Sequence, residues 1–293
     1  MLKVSVVIPV YGQWHLVKRN VDSLLALDGN NIEEIIIVND CSKESNPYKF
    51  DSPLVKIISN ENNLGYTGTV NKGLKIAAAQ IVVLLDSDAF PIEPFIQRLT
   101  TFYSSSSVGC VGFSTVDEDG RDNGNYQFEP SITGLVIGQA LAHKLRFLPF
   151  YKKKYFLPNS CAVSFHKSCL EELGYFDAVN FPVLEADVDL CMRIHRSKWD
   201  LIFTKDIVIC HKGGNSYKIN YKRVLLYHKS RWILLKKFNL ILFPKLSKVL
   251  LNIRVRVELY VLCLLALFKE DAIDLDEKKY GRRILLKEIN NYK

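Results

Sequence analysis

The chain has 293 residues, 48% of them hydrophobic and 24% charged, a balance that excludes a disordered or fibrous protein and suffices for a large core. Its net charge of +8 is moderate, and its seven cysteines are odd in number with no C-x-x-C spacing, which argues against a disulfide framework or a zinc site. No run reaches the roughly 18 apolar residues of a bilayer span. Met1-Leu2-Lys3 leads directly into a strand, so no secretory leader is expected, and the protein is expected in the cytoplasm with reduced thiols.

Val4-Ser5-Val6-Val7-Ile8-Pro9-Val10-Tyr11, closed by Gly12, reads as a first buried strand. Leu16, Val21, Leu24 and Leu25 recur at helical spacing within 15–27. A second strand, 34–38, ends at Asn39-Asp40, and a short third lies at 55–58 behind the breakers Pro47 and Pro53. Residues 60–65 predict a turn and 69–79 a helix. Ile81-Val82-Val83-Leu84-Leu85 is an unbroken apolar run, hence a buried parallel strand, and it runs into Asp86-Ser87-Asp88. This alternation predicts an open, mostly parallel sheet. Further on, 108–113 is a strand, 117–125 a polar, mobile loop, and 155–165 a strand. A helix at 168–173 is stopped by Gly174, another at 188–196 follows Glu185-Ala186-Asp187, and strands at 202–204 and 207–209 lead to His211.

From Tyr221 onward the chain is helical and basic, with Lys222-Arg223, Lys236-Lys237, Arg254, Arg256 and Arg282-Arg283 adding to Lys152-Lys153-Lys154 upstream. Such a distribution suits a solvated face or an anionic partner. The stretch 246–268 is apolar but interrupted by Asn252, Arg254, Arg256 and Glu258. That pattern fits an amphipathic helix in a membrane interface and a helix packed on the core equally well.

Chemistry enters at Asp86-Ser87-Asp88. Two carboxylates one residue apart at the carboxyl edge of a sheet repel each other unless a cation joins them, and hard divalent ions share such oxygens with phosphates. An acidic turn has the same composition, so the neighbours decide. In order along the chain stand strand ends at Pro9-Val10-Tyr11 and Asn39-Asp40, the fragments Asn62-Asn63-Leu64-Gly65-Tyr66 and Asn71-Lys72-Gly73, then Leu173-Gly174-Tyr175-Phe176-Asp177, Asp187-Val188-Asp189-Leu190-Cys191-Met192-Arg193 and His211-Lys212-Gly213-Gly214. In these fragments, over about residues 4–237, the chain resembles the inverting family 2 glycosyltransferases of the GT-A fold, and among them the rhamnosyltransferase-like bacterial polysaccharide enzymes.

The resemblance implies an α/β nucleotide-diphospho-sugar transferase fold, with a mostly parallel central sheet, flanking helices and a helical C-terminal extension. Residues 1–115 would bind the nucleotide sugar, 116–220 would carry the acceptor site and catalytic base, and 221–293 would form the basic extension. Donor contacts are implied for the backbone of Pro9, Val10 and Tyr11, for Asp40 against the base or ribose, and for Lys72, Asp86 and Ser87. Asp88, with Asp86 and His211, would hold Mg²⁺ or Mn²⁺, and Asp187 would take the proton of the acceptor hydroxyl. The implied partners are a nucleoside-diphosphate sugar and a glycan or lipid-linked acceptor in cell-surface polysaccharide synthesis, with peripheral membrane association and no nucleic acid.

Two departures qualify the resemblance. The family's acidic pair reads Ala186-Asp187 here, with Glu185 one residue early and Asp189 as an alternative base at a helix-orienting position. Asn159-Ser160-Cys161 replaces a usual Gly-Ala beside the donor sugar, so donor identity does not transfer. Both departures leave room for a catalytically degenerate glycan- or lipid-binding protein on the same fold. Arg193 and Arg231 are candidates for anion contacts or for structural cations. A nucleotidyltransferase would need a Gly-rich cationic loop where Val10-Tyr11-Gly12-Gln13-Trp14 stands, and no G-x-G-x-x-G marks a dinucleotide site. Basicity alone, without a reading module, does not make a nucleic-acid binder.

Overall fold

Strand β1 (Val4–Val10) is buried at every residue, because both faces of a central parallel strand are covered and an unalternated apolar run satisfies both. Strands β2 (Ile32–Asn39) and β4 (Ile81–Leu85) pair with it in parallel on either side, and β3 (Val55–Ser59) continues the sheet beyond β2. Past β4 come antiparallel β9 (Ala162–His166), then β6 (Val108–Val116), β10 (Asp200–His211) and β5 (Ala89–Pro91), in the order β3-β2-β1-β4-β9-β6-β10-β5. Four of the seven pairings are parallel, so the sheet is mostly parallel, as expected. A second, two-stranded sheet joins β7 (Tyr126–Phe128) to β8 (Phe156–Pro158).

The computed structural model describes residues 2–138, 141, 142, 144, 156–212, 220–267 and 272–292. Lys152-Lys153-Lys154, Gly213-Gly214 and Phe268 lie outside them. The chain forms two compact units, one of Met1–Phe128 with Phe156–Ser216, the other of Glu129–Tyr155 with Tyr217–Lys293.

In the first unit, helix α1 (Trp14–Asp28) buries Trp14, Val17, Val21 and Leu24 at helical spacing. Helix α2 (Gly65–Ile76) begins four residues earlier than the sequence predicts and also ends earlier. Its start is drawn forward because Asp40 Oδ1 accepts from the Leu64 amide (2.7 Å) and Asn63 Oδ1 from the Gly65 amide (3.0 Å). Its end is fixed by Glu34 Oε1 and Ser5 Oγ, which take the amides of Ala78 (2.7 Å) and Ala79 (3.0 Å) away from the helix. Helix α3 (Ile96–Phe102) starts on the Asp28 carboxylate, which accepts from the Phe95 amide at 2.8 Å.

The strand expected over 155–165 divides into β8 and β9, with Asn159-Ser160-Cys161 between them. Asn125 causes the division, since its side chain donates to the carbonyls of Phe113 (3.0 Å) and Ala162 (2.9 Å) while its own carbonyl accepts from Asn159. The two short strands expected at 202–204 and 207–209 are one strand, β10, whose register shifts between Thr204 and Val208. The polar loop after β6 is folded on Asp117, whose Oδ1 accepts from the amides of Asp119 and Arg121 at 2.9 Å each.

The second unit is helical. Helices α4 (Ile132–Ile137), α7 (Tyr221–Lys237), α8 (Pro244–Leu265) and α9 (Ala272–Asn291) close on a core of Leu135, Trp232, Leu235, Leu251, Val255, Leu285 and Ile289. Helices α5 (Lys167–Leu173) and α6 (Ala186–His195) belong to the first unit. Among the described residues no helix is long and apolar enough to cross a membrane. All seven cysteines are free, five of them buried, with Cys41 and Cys263 exposed.

Candidate active site

The sheet register brings the sequence fragments to one edge. Val10 pairs with Asn39 and Asn39 with Ser59, so β1, β2 and β3 end side by side, and parallel β4 ends beside them at Leu85. Antiparallel β9 begins where β4 ends, with Ala162 opposite Leu85, which places Ser160 and Cys161 against Asp86. The Asp86 amide donates to the Cys161 carbonyl at 2.9 Å. At the other side of the edge β10 pairs with β5 so that His211 lies opposite Ala89, the residue after Asp88. Carboxyl strand ends of open α/β sheets are where ligands bind.

Asp86, Asp88 and His211, 125 positions apart at their extremes, therefore meet. One donor atom from each lies within 4.8 Å of the others, and His211 Nε2 stands 3.4 Å from Asp88 Oδ1. All three are half-buried. Burial opposes the charge of Asp88, yet the hydrogen bond and charge of His211 hold its carboxyl below the usual range. Burial likewise opposes the His211 imidazolium, but Asp88 and then Asp86 raise its pKa above the ordinary value. Asp86 is left with the cost: burial, with the charges of Asp88 and Asp187 adding, lifts it to about 6 despite a Tyr66 hydrogen bond that favours its charged form. The cluster is short of positive charge, which a divalent cation would supply. Such ions hold their donors about 2.1 Å away, so donors already this close need only small rotations to converge on one. The set of two carboxylates and one imidazole fits Mn²⁺ and, less well, Mg²⁺.

Asp187 opens α6 on the same edge. Its Oδ1 accepts from the Val188 amide (2.8 Å) and its Oδ2 from the Ser160 amide (3.4 Å), which orients the carboxylate while leaving it half-buried. Glu185 before it has φ 73°, a left-handed turn that swings the chain into the helix. Asp189 behaves differently. It is fully buried and bound to Arg193 (Nε to Oδ2, 2.9 Å), whose guanidinium also donates to the carbonyls of Leu173 and Tyr175. Arg193 is therefore a structural cation. Arg231 is buried in the helical unit, 5.3 Å from the Tyr227 ring centroid.

Among the other residues singled out from the sequence, Pro9 and Val10 are buried, so only their backbone and the exposed Tyr11 face outward. Asp40 is buried, its Oδ1 accepting from Asn60 Nδ2 (2.9 Å) and the Leu64 amide. Lys72 Nζ donates to Asn60 Oδ1 (2.9 Å), which joins it to Asp40 through one side chain. Ser87 is half-buried between the two aspartates. Tyr66 joins the site without a mark in the sequence: its hydroxyl donates to Asp86 Oδ1 (2.7 Å) and lies 2.9 Å from Ser160 Oγ. Asn20 joins it likewise, its side chain donating to the Asp86 carbonyl (3.0 Å). Tyr66 stands within a quoted fragment, but nothing local to a helix start marks a residue whose partners lie 20 and 94 positions away.

Residues 5–173 match the profile of glycosyl transferase family 2. The chain belongs to that family. Asp187 and His211 lie beyond the matched segment. This family 2 chain is similar to the O-antigen biosynthesis protein RfbC of Myxococcus xanthus, 23% identical over 233 residues that make up 73% of this chain and 18% of that protein. It is 30% identical over 88 residues to the UDP-Glc:alpha-D-GlcNAc-diphosphoundecaprenol beta-1,3-glucosyltransferase WfgD of Escherichia coli, covering 29% of this chain and 34% of that protein. The chain spans between 18% and 34% of the length of the curated relatives it matches. Among solved structures it is similar to the mannosyltransferase PcManGT of Pyrobaculum calidifontis in complex with GDP-Man and Mn²⁺, with a TM-score of 0.56 and 16% identity over 99% of this chain and 87% of that one. At such identity the likeness shows the fold alone, and that fold is GT-A.

Proposed function

We propose that this family 2 chain is a metal-dependent inverting glycosyltransferase. It would move a sugar from a nucleoside-diphosphate donor to a hydroxyl of a glycan or lipid-linked acceptor during synthesis of a cell-surface polysaccharide. The observation that carries the reading is the convergence of Asp86, Asp88 and His211 on one sheet edge with Asp187 beside them. The names of RfbC and WfgD support the polysaccharide and lipid-linked setting.

Asp86, Asp88 and His211 would hold Mg²⁺ or Mn²⁺, which when bound neutralises charge gathering on the departing diphosphate. Asp40, with Lys72 behind it through Asn60, would accept from the nucleoside, beside the backbone at Pro9 to Tyr11. In a single displacement the acceptor oxygen bonds to the anomeric carbon as the carbon–phosphate-oxygen bond breaks, and the acceptor proton passes to Asp187. Asp187 suits this role better than Asp189, because it is accessible while Asp189 is sealed and engaged by Arg193. Both oxygens of Asp187 are oriented by amides, so it meets an incoming hydroxyl in a fixed attitude.

The test uses the purified chain with a panel of nucleotide sugars. Transfer or slow hydrolysis should require Mn²⁺ or Mg²⁺ and disappear in Asp88→Ala, and normal metal-stimulated turnover by that variant would sink the assignment. Asp187→Asn should keep donor affinity in calorimetry while losing on the order of 10²–10⁴ in rate. Full activity of Asp187→Asn would move the base to Glu185 or Asp189. Donor binding without turnover in the parent chain would favour the degenerate binding protein.

A further inference from the structure

Helix α8 has one apolar face turned inward and another turned outward. Ser247, Leu251 and Val255 face the core of the helical unit. The opposite face presents Leu246, Val249, Ile253, Val257, Tyr260 and Leu264, at successive steps of three and four residues, each between 40% and 65% exposed. At about 100° per residue these six fall on one arc that contains no charged residue. Exposed Lys245 and Arg256 stand at one margin of the arc, while Glu258 is turned away from it and paired with Arg254 and Arg282. Phe243, 68% exposed, continues the apolar row ahead of the helix. A row of about 22 residues is about 33 Å long, and an apolar patch of this extent is not left bare on an ordinary soluble surface.

Charge selects the occupant. The helical unit carries 23 lysines and arginines against 8 acids, a net +15, while the other unit is at −7. A second copy of the same unit would bring like charge against like around the seam. An anionic bilayer surface complements both the apolar arc and the cations beside it. We propose that α8 lies in the interface of an anionic membrane, its apolar arc among the upper acyl chains and Lys245 and Arg256 at the headgroups. This deepens the reading of a lipid-linked acceptor by naming the surface that would hold the enzyme beside it, but it stands on the helical unit alone and is tested without any sugar nucleotide.

The experiment is flotation of the purified full chain with vesicles of phosphatidylcholine, alone or mixed at roughly 3:1 with phosphatidylglycerol. The chain should float with the anionic vesicles and remain largely unbound with the neutral ones. Ile253→Ser/Val257→Ser/Tyr260→Ser should lower partitioning about ten-fold or more, with an unchanged circular dichroism spectrum because the three side chains face outward. Lys245→Ala/Arg256→Ala should weaken binding several-fold and reduce its salt dependence. Tyr260→Trp keeps an aromatic anchor, and its added indole emission should be quenched by brominated acyl chains. The proposal is overturned if the parent chain ignores anionic vesicles, if the triple-serine variant floats like the parent, or if brominated lipid leaves the added emission of Tyr260→Trp untouched. It is equally overturned if the parent is a dimer that the serine variant splits while neither binds vesicles. Failure here would leave glycosyl transfer in solution unaffected, and loss of transfer in Asp88→Ala would leave vesicle binding intact.

Discussion

Tyr66 connects the two chemical halves of the site. Its phenol is pushed well above its usual pKa by burial and by the charge of Asp86, so it stays a hydrogen-bond donor to that carboxylate. Ser160 lies against the same hydroxyl, and the Ser160 amide orients Asp187. One side chain thus bears on Asp86 and, through Ser160, on Asp187. The Tyr66→Phe variant should lose about ten-fold or more in Mn²⁺ affinity by calorimetry, as is usual when a group that orients a ligand is removed. Its fold should lose only about 1–2 kcal/mol. Unchanged Mn²⁺ affinity would remove Tyr66 from the site. At this scale the carboxylates were legible in the sequence, because Asp-x-Asp follows an apolar strand. Tyr66, Asn20 and the sealing of Asp189 by Arg193 were not, because each depends on a partner that only the folded chain brings near.

At the scale of elements, α2 owes its position to contact as much as to composition. A Cβ on Gly73 would fall 2.4 Å from Val7 Cγ1 and 3.1 Å from Val38 Cγ2, so this glycine lets the helix settle onto β1 and β2. Gly73→Ala should cost about 1–3 kcal/mol in urea unfolding. Gly29, with right-handed backbone and nothing within 4 Å of an added Cβ, is the control: Gly29→Ala should be neutral or slightly stabilising. Equal effects of the two would show that close packing at Gly73 is not what restrains the position. Central strands were legible throughout, since their apolar runs are dictated by burial on both faces. The bounds of α2 and the break at Asn159-Ser160-Cys161 were not, because distant polar side chains (Glu34, Ser5 and Asn125 among them) supply or withhold the deciding hydrogen bonds, and the fusion of β10 was not, because its pairing with β6 carries it across a register shift.

On the scale of the molecule, net charge divides between the units, and the helical unit has an acid-sensitive residue of its own. His228 is buried in the helical unit, its Nδ1 meeting no hydrogen-bond partner among the described residues. Burial first, then the charge of Arg254, draws its pKa down to about 4. Between about 4 and 6.5 the unfolded chain therefore binds more protons than the folded one, so stability rises with pH through that window and is fully present above it. Acidification from about pH 7 towards about 4 should cost this unit up to about 3 kcal/mol, read as earlier loss of amide protection in α7. His228→Phe should flatten that dependence, and an unaltered acid profile in the variant would assign the loss to other groups.

The sequence by itself determined the α/β class, the family and the approach of an acidic pair to a strand end, because buried strands and paired carboxylates leave local patterns of hydrophobicity and charge. It could not decide whether the apolar C-terminal helix packs inward or faces outward. The structure decides that α8 does both, since a helix with two apolar faces has only one core to fill. Nor could it establish that His211 reaches Asp88, which follows from β10 pairing with β5 far along the chain. Local patterning selects the elements; long-range strand pairing and the limited area of a core select which side chains meet and which remain outside.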